Sequence, residues 1–312
     1  MIPVLVLAGP TASGKTGLAV ELAKATGAEV VSADSRQVYR GLDVGTAKPS
    51  AEIRAEVVHH LIDFLDPRDS YNAGSFARDA AVVIRKLNAS GKTPLICGGT
   101  GFYIEALLNP MFEEPVLERA RQEEIRTELK RIADEQGSAA LHEKLAEVDP
   151  QSAKRLHPND FQRVSRALEM YYLTGRAMSE LLEAPRPCSS YRPFQVLLDP
   201  PRELLEKNIA VRSQRMLDGG WIEEVERLLA EGLPEDAPGL QSLGYVEVVA
   251  HIRGELTRDE TLEAIKRKTR QYAKRQRTWF NRSPIQLRLT GVSFILDEIL
   301  DMWHSHLDQH PL

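Results

Sequence analysis

A glycine-rich loop near the amino end carries residue types that bind phosphate. The pattern G-x-x-x-x-G-K-[ST] is matched at every fixed position by Gly9, Pro10, Thr11, Ala12, Ser13, Gly14, Lys15 and Thr16. In this pattern, backbone N–H groups and the start of a helix point at an anion, and the lysine adds a positive charge. The hydroxyl of Thr16 is of the kind that binds Mg²⁺ beside phosphate oxygens. We therefore predict that these residues hold a di- or triphosphate group; the alternative is a tight turn between a strand and a helix.

A second concentration of chemically active side chains lies near the carboxyl end. Residues 266–282 contain eight Lys or Arg and no acidic residue, with Tyr272, Trp279 and Phe280 interleaved. Aromatic rings beside arginines favour binding of RNA through its backbone and stacked bases. The alternative is a solvated basic face, which is the usual role of a charge run. Because the net charge of the chain is −5, any nucleic-acid binding must come from such a local patch.

Apolar residues on both sides of the loop provide the strand and helix that position it. Residues 4–8 are typical of a buried parallel strand, and helical spacing follows at Leu18, Ala19, Leu22 and Ala23. Further strands are predicted at residues 29–32, 93–97, 194–198 and 286–289. Strands that alternate with helices indicate an α/β fold with a parallel sheet. Because ligands sit beyond the carboxyl ends of such strands, Asp34 and Gly98–Thr100 are expected to share one rim with the loop.

The pattern changes twice along the chain, which predicts three segments. Residues 1–112 form the first part of the core, 113–190 an all-helical insert, and 191–312 the return to the core with basic C-terminal helices. The insert prediction depends on apolar stripes at helical spacing, such as Ile125, Leu129 and Ile132, and on the lack of a strand pattern.

Composition limits the compartment and the class of protein. Two isolated cysteines, Cys97 and Cys188, indicate a reducing compartment without a disulfide framework. The chain has no basic leader before its first apolar run and no apolar run of membrane-spanning length. We therefore expect a soluble, cytoplasmic protein that does not bind membranes, and we expect a monomer.

Several short motifs occur in a fixed order along the chain. Besides the phosphate loop they are residues 33–39 (ADSRQVY), 45–49 (GTAKP), 59–63 (HHLID), 98–103 (GGTGFY), 157–160 (HPND) and 270–280 (RQYAKRQRTWF). This ordered set resembles the family of tRNA dimethylallyltransferases, also called tRNA isopentenyltransferases.

The resemblance implies a P-loop NTPase-like core and a specific reaction. A dimethylallyl group would leave dimethylallyl diphosphate and join N6 of the adenosine 3′ of the anticodon in tRNA, releasing diphosphate, with Mg²⁺ as cofactor. The loop would then hold the diphosphate of an isoprenoid rather than a nucleotide. In agreement, the chain has no apolar run that ends in a magnesium-binding acid, as most nucleotide hydrolases have.

The resemblance also implies catalytic roles. Asp34 would be the general base for the adenine amine, Thr100 would lie at the reaction centre, and Lys15 and Arg212 would offset charge on the departing diphosphate. For Asp34 the alternatives are a helix cap or a magnesium ligand, and for Thr100 a glycine-rich turn. The family commonly has arginine where this chain has Asn208, and Arg215 is a possible substitute.

Further residues would grip the tRNA, whose target base must leave its stack to be reached. The resemblance assigns this role to Asp34, Ser35, Arg36, Gln37, Thr100, Asn159, Asp160, Gln162, Arg163, Arg166, Gln241, Gly244, Tyr245, Lys274, Arg275 and Arg277. The Tyr245 ring either stacks on a base or packs in the core.

Two other functions share these features. A small-molecule kinase would use the same loop for ATP, although the basic helix argues against it. A non-catalytic RNA-binding protein would use a bound phosphate ligand as a switch.

Overall fold

The structure of the chain is a computed structural model that describes residues 1–110, 119–184, 188–291 and 296–309. Its strands are β1 (Ile2–Ala8), β2 (Glu29–Ser32), β3 (His59–His60), β4 (Pro94–Gly98), β5 (Tyr191–Leu198) and β6 (Leu287–Leu289). Its helices are α1 (Lys15–Thr26), α2 (Ala51–Glu56), α3 (Ala73–Ala89), α4 (Gly101–Leu108), α5 (Arg119–Gln136), α6 (Ser138–Val148), α7 (Pro150–Arg155), α8 (Phe161–Thr174), α9 (Met178–Glu183), α10 (Arg202–Asp218), α11 (Trp221–Ala230), α12 (Tyr245–Ile252), α13 (Arg258–Phe280) and α14 (Leu296–Asp308).

The chain divides into two compact units. One unit comprises Met1–Leu108 together with Ser189–Leu312, and the other comprises Asn109–Cys188. The predicted segment boundary between residues 112 and 113 lies outside the described residues. None of the described helices combines the length and apolar character needed to cross a bilayer.

The first unit is built on a parallel sheet, which confirms the predicted α/β fold. Among the described residues the strand order is β3-β2-β4-β1-β5-β6, and all neighbouring strands are parallel. β1 lies in the interior, where Leu5 pairs with Leu95 of β4 and with Phe194 of β5. The two-residue strand β3 was not predicted, because His59 and His60 give no apolar pattern.

Alternating side chains along β1 explain why helices cover both faces of the sheet. Val6 packs on one face in the core that includes Phe76 of α3. Leu7 packs on the other face with Leu22 of α1 and Trp303 of α14. Because successive strand residues point to opposite sides, one apolar run contributes to two cores.

A third core includes Trp221 and other apolar residues of helices α10 to α13, together with Val38, Tyr39 and Leu42. The indole occupies the space beside Gly45 and Gly244, where a Cβ atom would lie 2.1 Å from a ring atom. Gly244 also has φ +91°, in the left-handed region that favours glycine. The chain is therefore fixed tightly on both sides of this ring.

The ends of β2 and β4 are in direct contact, and this contact positions two predicted catalytic residues. Ala33 N–H donates to the carbonyl of Cys97 at 2.8 Å, and Thr100 N–H donates to the carbonyl of Ala33 at 3.2 Å. A Cβ atom at Gly98 would lie 2.1 Å from the Ala33 oxygen. Glycine at this position therefore allows the Thr100 turn to lie against the segment that carries Asp34.

The second unit contains helices α5 to α9 and no strand among its described residues. Its core comprises Leu129 of α5, Leu141 and Leu145 of α6, and Val164 and Leu168 of α8. These are the apolar stripes that predicted an all-helical insert.

Candidate active site

Two adjoining cavities lie beside the loop of residues 9–16, which we call the phosphate loop. The Asp34 cavity, about 490 Å³, is lined by Asp34, Arg36 and Tyr272 among others. The loop cavity, about 820 Å³, is lined by residues 12–17 and by α10. The residues that line both cavities are Ala12, Arg212 and Met216. The predicted base and the predicted anion site therefore open onto one continuous region.

The backbone of the phosphate loop has the conformation that an anion site requires. Ala12 has φ 62° and Gly14 has φ 93°, both in the left-handed region. Gly14 precedes α1, so the first N–H groups of this helix have no acceptor within the helix. These groups and the positive end of the helix dipole favour an anion at this position.

The Lys15 ammonium folds back over the phosphate loop. Its Nζ donates to the carbonyl of Pro10 at 2.6 Å and to Ser13 Oγ at 3.4 Å. Burial lowers the pKa of Lys15 to about 8, an effect that nearby Arg212 adds to and that Cys97 and Asp34 oppose. The same burial raises the pKa of the Cys97 thiol to about 11, so this cysteine is not a reactive thiolate at neutral pH.

Thr11 differs from the rest of the loop, because its N–H is already used. This group donates to Gln276 Oε1 at 2.8 Å. The Thr11 amide is thus not available to a diphosphate in this structure, and any contact from Thr11 must come from its side chain. Gln276 was not among the predicted site residues. The signal was present in the sequence: Gln276 falls on the buried stripe of α13 with Ala273 and Phe280.

Helix α10 presents its polar side chains to both cavities. Arg212 lines both of them, burial lowers its pKa, and the nearby Asp34 opposes this effect. Asn208 donates from Nδ2 to the carbonyl of Ala12 at 3.2 Å, and Arg215 lines the loop cavity. An asparagine at position 208 therefore supports the loop backbone, and Arg215 supplies a cation on the same helix.

Asp34 combines a structural contact with a free carboxylate oxygen. Its Oδ1 accepts hydrogen bonds from the N–H groups of Arg36 at 2.8 Å and Gln37 at 3.3 Å. These bonds hold a turn and not the helix cap considered as an alternative, because no helix begins between β2 and α2. The other oxygen, Oδ2, accepts no hydrogen bond from any described residue, so the turn leaves one oxygen available to act as a base.

Thr100 lies beside this turn and beside an aromatic residue of α13. Its Oγ1 accepts a hydrogen bond from the N–H of Ser35 at 3.1 Å. Burial and the nearby Asp34 carboxylate raise the pKa of Tyr272, whereas a hydrogen bond with Thr100 lowers it. Asp34, Thr100 and Tyr272 therefore form one cluster; Tyr272 was predicted as an aromatic residue of the basic helix, but not as a neighbour of the predicted catalytic residues.

The other residues that follow β2 are divided between the cavity and the fold. Ser35 and Arg36 line the Asp34 cavity. Gln37 donates from Nε2 to the carbonyls of Thr46 at 3.3 Å and Ala47 at 3.2 Å. Its amide thus supports the neighbouring loop, and the predicted contact with tRNA stays a prediction.

The loop at residues 43–45 lines the cavities and is held by a buried carboxylate, that of Glu224. Neither this loop nor Glu224 was predicted as part of the site. Glu224 Oε2 accepts from the N–H groups of Asp43 and Val44, each at 2.7 Å. Lys48 follows on the same segment, and its Nζ lies 2.7 Å from both Asp43 Oδ1 and Asp63 Oδ1. The loop wall is therefore fixed by long-range polar contacts.

The predicted turn at Gln241, Gly244 and Tyr245 is mainly structural. The Tyr245 side chain is 0% exposed, its hydroxyl donates to Glu224 Oε1 at 2.7 Å, and its ring packs edge-on against Trp221. The stacking alternative is therefore wrong for this conformation, and the packing alternative is correct. Gln241 is exposed and lines the Asp34 cavity, so only this member of the turn presents a side chain that a ligand can reach.

The basic helix α13 divides into paired and unpaired cations. Lys274 and Arg275 are exposed, form no ion pair with a described residue, and line a shallow groove with Trp279. Arg277 instead places Nε 2.8 Å from Oδ1 of the buried Asp199, whose Oδ2 lies 2.6 Å from Arg288 Nη1. Of the three predicted tRNA contacts on this helix, two face solvent and Arg277 has a structural partner.

An exposed aromatic pair lies on the same surface. The rings of Phe102 and Trp279 are 47% and 40% exposed and meet edge to face with centroids 5.9 Å apart. A Cβ atom at Gly101 would lie 2.2 Å from the indole, so glycine permits this arrangement. Exposed rings beside cations are the surface that stacked nucleobases require.

The predicted tRNA contacts of the second unit lie around the start of α8. Asn159, Gln162 and Arg163 are exposed. Asp160 caps the helix, accepting from Arg163 N–H at 3.2 Å, and also pairs with the Arg163 guanidinium at 2.9 Å. Arg166 lies 3.2 Å from the buried Glu169, so it also supports the fold of this unit.

The magnesium prediction fits the donor groups near the loop. Thr16 is exposed and lines the loop cavity. Mg²⁺ keeps several waters and needs few protein oxygens when phosphate oxygens are present. The described part of the chain holds no group of three or more His, Cys, Asp or Glu that would bind a metal alone. Thr16 together with diphosphate oxygens is therefore the arrangement that fits.

Most of the chain is similar to known proteins. The profile of the IPP transferase family matches residues 37–283, which leaves the phosphate loop and Asp34 outside the match. A tRNA dimethylallyltransferase of Geobacter sulfurreducens is 44% identical over 281 residues, covering 90% of this chain and 89% of that protein. Its counterpart in Geobacter metallireducens is 46% identical over 279 residues, covering 89% of each.

Solved structures share the fold over nearly the whole chain. The tRNA isopentenylpyrophosphate transferase of Bacillus halodurans superposes with a TM-score of 0.72 at 35% identity, covering 99% of this chain and 98% of that one. A eukaryotic dimethylallyltransferase described as acting on tRNA gives a TM-score of 0.85 at 26% identity, covering 100% and 81%. The chain therefore belongs to the IPP transferase family.

Proposed function

We propose that this protein transfers a dimethylallyl group from dimethylallyl diphosphate to tRNA, at N6 of the adenosine 3′ of the anticodon. The observation that carries the proposal is the junction of the two cavities at Ala12 and Arg212. An anion site and a carboxylate with a free oxygen then face one reaction centre. The names of the relatives support the same donor group and the same class of acceptor.

The chemistry follows from these positions. The N6 nitrogen forms a bond to C1 of the dimethylallyl group while the bond from C1 to the diphosphate oxygen breaks. Asp34 accepts the proton that N6 loses, which makes the weakly nucleophilic exocyclic amine a better donor as the bond forms. The Thr100 hydroxyl lies next to Asp34 through Ser35 N–H, where it can contact the leaving oxygen.

Charge on the departing diphosphate is offset by fixed groups. Lys15, Arg212 and the N–H groups at the start of α1 surround the loop cavity. Such preorganised donors stabilise a developing anion without rearranging during the reaction. Magnesium, when bound through Thr16, adds further positive charge to the diphosphate.

The acceptor side of the proposal depends on RNA contacts. The target base must be unstacked to bring N6 to Asp34, which costs least in a single-stranded loop. The cations and exposed rings of α13 suit the anticodon stem-loop of such a substrate. A cytoplasmic, monomeric enzyme is part of this proposal.

The proposal is tested with dimethylallyl diphosphate that carries an isotope label in its prenyl group. We expect label to enter an anticodon stem-loop with adenosine 3′ of the anticodon, and not the same stem-loop with guanosine at that position. Folded protein that transfers no label to any adenosine-containing loop would contradict it. ATP consumption under the same conditions would favour the kinase alternative, and tight RNA binding without product would favour a non-catalytic protein.

A further inference from the structure

We propose that Gln276 is a positioning residue that fixes the phosphate loop relative to the Thr100 turn. The inference rests on the proposed function, because it assigns Gln276 a part in aligning the leaving diphosphate with the reaction centre. Gln276 lines neither the Asp34 cavity nor the loop cavity. It acts through the backbone groups of Thr11 and Gly99.

The geometry of the link is bidentate. The Gln276 side chain accepts from Thr11 N–H through Oε1 and donates from Nε2 to the carbonyl of Gly99, each at 2.8 Å. Gln276 is 6% exposed, so water does not replace these bonds easily. The glutamine amide carries an acceptor oxygen and a donor nitrogen, and it offers both in every protonation state of the protein.

Each end of the link lies next to a group of the candidate site. Thr11 precedes Ala12, which lines both cavities. Gly99 precedes Thr100. The two partners come from segments that follow β1 and β4, and Gln276 is 265 residues from Thr11 and 177 from Gly99 along the chain. The contact is therefore a tertiary clamp between two loops that must keep their spacing.

The packing around the clamp depends on glycine at position 99. A Cβ atom at Gly99 would lie 2.4 Å from Gln276 Nε2 and 3.2 Å from the carbonyl oxygen of Gly9. Glycine at position 99 thus lets the amide sit between the phosphate loop and the turn. A shift of about 1 Å between reacting groups can cost about 10²-fold in rate, so loss of such a clamp has a measurable effect.

A simple packing role for Gln276 predicts different behaviour, and two variants distinguish it. Gln276→Met keeps the length but removes both hydrogen bonds. Gln276→Glu keeps the shape; when ionised it cannot donate to Gly99, and when protonated it can. The matched control is Gln195→Met, because Gln195 is 4% exposed, donates from Nε2 to the carbonyl of Pro284 at 3.0 Å and lines neither cavity.

We expect Gln276→Met to lower kcat/KM for label transfer by about 10- to 100-fold, while Gln195→Met changes it little at a similar melting temperature. For Gln276→Glu, the rate divided by that of the wild type at the same pH should rise as pH falls from 8 to 5.5. The division removes the pH dependence that both enzymes share. Equal activity loss in Gln276→Met and Gln195→Met, or a flat ratio for Gln276→Glu, would overturn the proposal.

A binding measurement separates this inference from the proposed function. Inorganic diphosphate with Mg²⁺ should raise the melting temperature of the wild type and of Gln195→Met more than that of Gln276→Met. If the wild type transfers no label but this difference appears, the clamp stands and the proposed function fails. If the wild type transfers label and Gln276→Met binds diphosphate and reacts normally, only the clamp fails.

Discussion

The hydroxyl of Tyr245 donates a 2.7 Å hydrogen bond to Glu224, and both side chains are buried. The same carboxylate accepts from Asp43 N–H and Val44 N–H. Glu224 lies on α11, about 180 residues after Asp43 and Val44 in the chain. It therefore holds a wall of the cavities in place through a long-range contact. Burial and the Glu224 carboxylate raise the pKa of Tyr245 well above its usual value, so its hydroxyl stays a donor.

Replacing Glu224 with glutamine should lower both stability and donor binding. The amide replaces one acceptor oxygen with a donor that faces backbone N–H groups or the Tyr245 hydroxyl. We expect a loss of about 1–3 kcal/mol in the free energy of unfolding, measured by urea denaturation, and a higher KM for dimethylallyl diphosphate. Glu226→Gln on the exposed face of the same helix is the control and should change neither quantity.

The lowered pKa of Lys15 predicts how diphosphate binding depends on pH. In the free protein Lys15 loses its proton around pH 8, and a bound anion favours the charged form. Affinity for inorganic diphosphate should therefore fall as pH rises above about 8, because binding then requires proton uptake. Isothermal titration across this range measures it, with Lys15→Met as the control that retains only the ligand's own ionisation. Identical pH profiles for the two proteins would contradict the prediction.

The same shift has a consequence for folding. The pKa of Lys15 is about 8 in the folded protein and 10.5 for an unperturbed lysine, so the unfolded chain binds more protons between these values. Stability of the unliganded protein should therefore rise with pH across that window as far as Lys15 is concerned. The free energy of unfolding at pH 8 and pH 10, compared between the wild type and Lys15→Met, isolates this contribution.

Asp34→Asn separates the two roles of the Asp34 carboxylate. Asparagine keeps an oxygen that can accept from Arg36 N–H and Gln37 N–H, so the turn and the RNA surface should persist. Loss of the base should lower kcat by about 10²- to 10⁴-fold, with little change in stem-loop affinity. Single-turnover transfer and a filter-binding assay measure the two quantities. A variant that binds RNA poorly but reacts normally at saturating RNA would assign Asp34 to recognition instead.

Much of the site was predictable because its signals are local. The phosphate loop needs only consecutive residues between a strand and a helix, and Asp34 and Thr100 follow strands whose apolar runs are evident. Their meeting at one edge follows from the geometry of parallel sheets. The apolar stripes of the insert are equally local.

The remainder depends on contacts that no local pattern contains. Tyr245 was ambiguous because its burial depends on Trp221 and Glu224, which belong to another helix. Gln276 lies in a basic stretch that is typical of RNA-binding proteins, and its partners are more than 170 residues away along the chain. A polar residue on a buried helical stripe was the available clue, and it indicates a buried hydrogen-bond partner without saying which one.

Arg275 and Arg277 lie two positions apart on α13 but have different surroundings, and this predicts different roles in RNA binding. Arg275 is exposed, and its guanidinium lies 5.7 Å from the centroid of the Tyr272 ring. Arg277 is paired with the buried Asp199. Arg275→Gln should weaken stem-loop binding and reduce the slope of log affinity against log salt concentration by about one, as for a lost phosphate contact.

Arg277→Gln should instead lower the melting temperature, because it removes a partner from a buried carboxylate, and should leave the salt slope nearly unchanged. The comparison uses the same substitution on the same helix, so differences in side-chain size cancel. Binding titrations at several salt concentrations, together with thermal unfolding of both variants, provide the measurements. If Arg277→Gln changes the salt slope as much as Arg275→Gln, the ion pair with Asp199 must open to admit RNA, and Arg277 contacts phosphate after all.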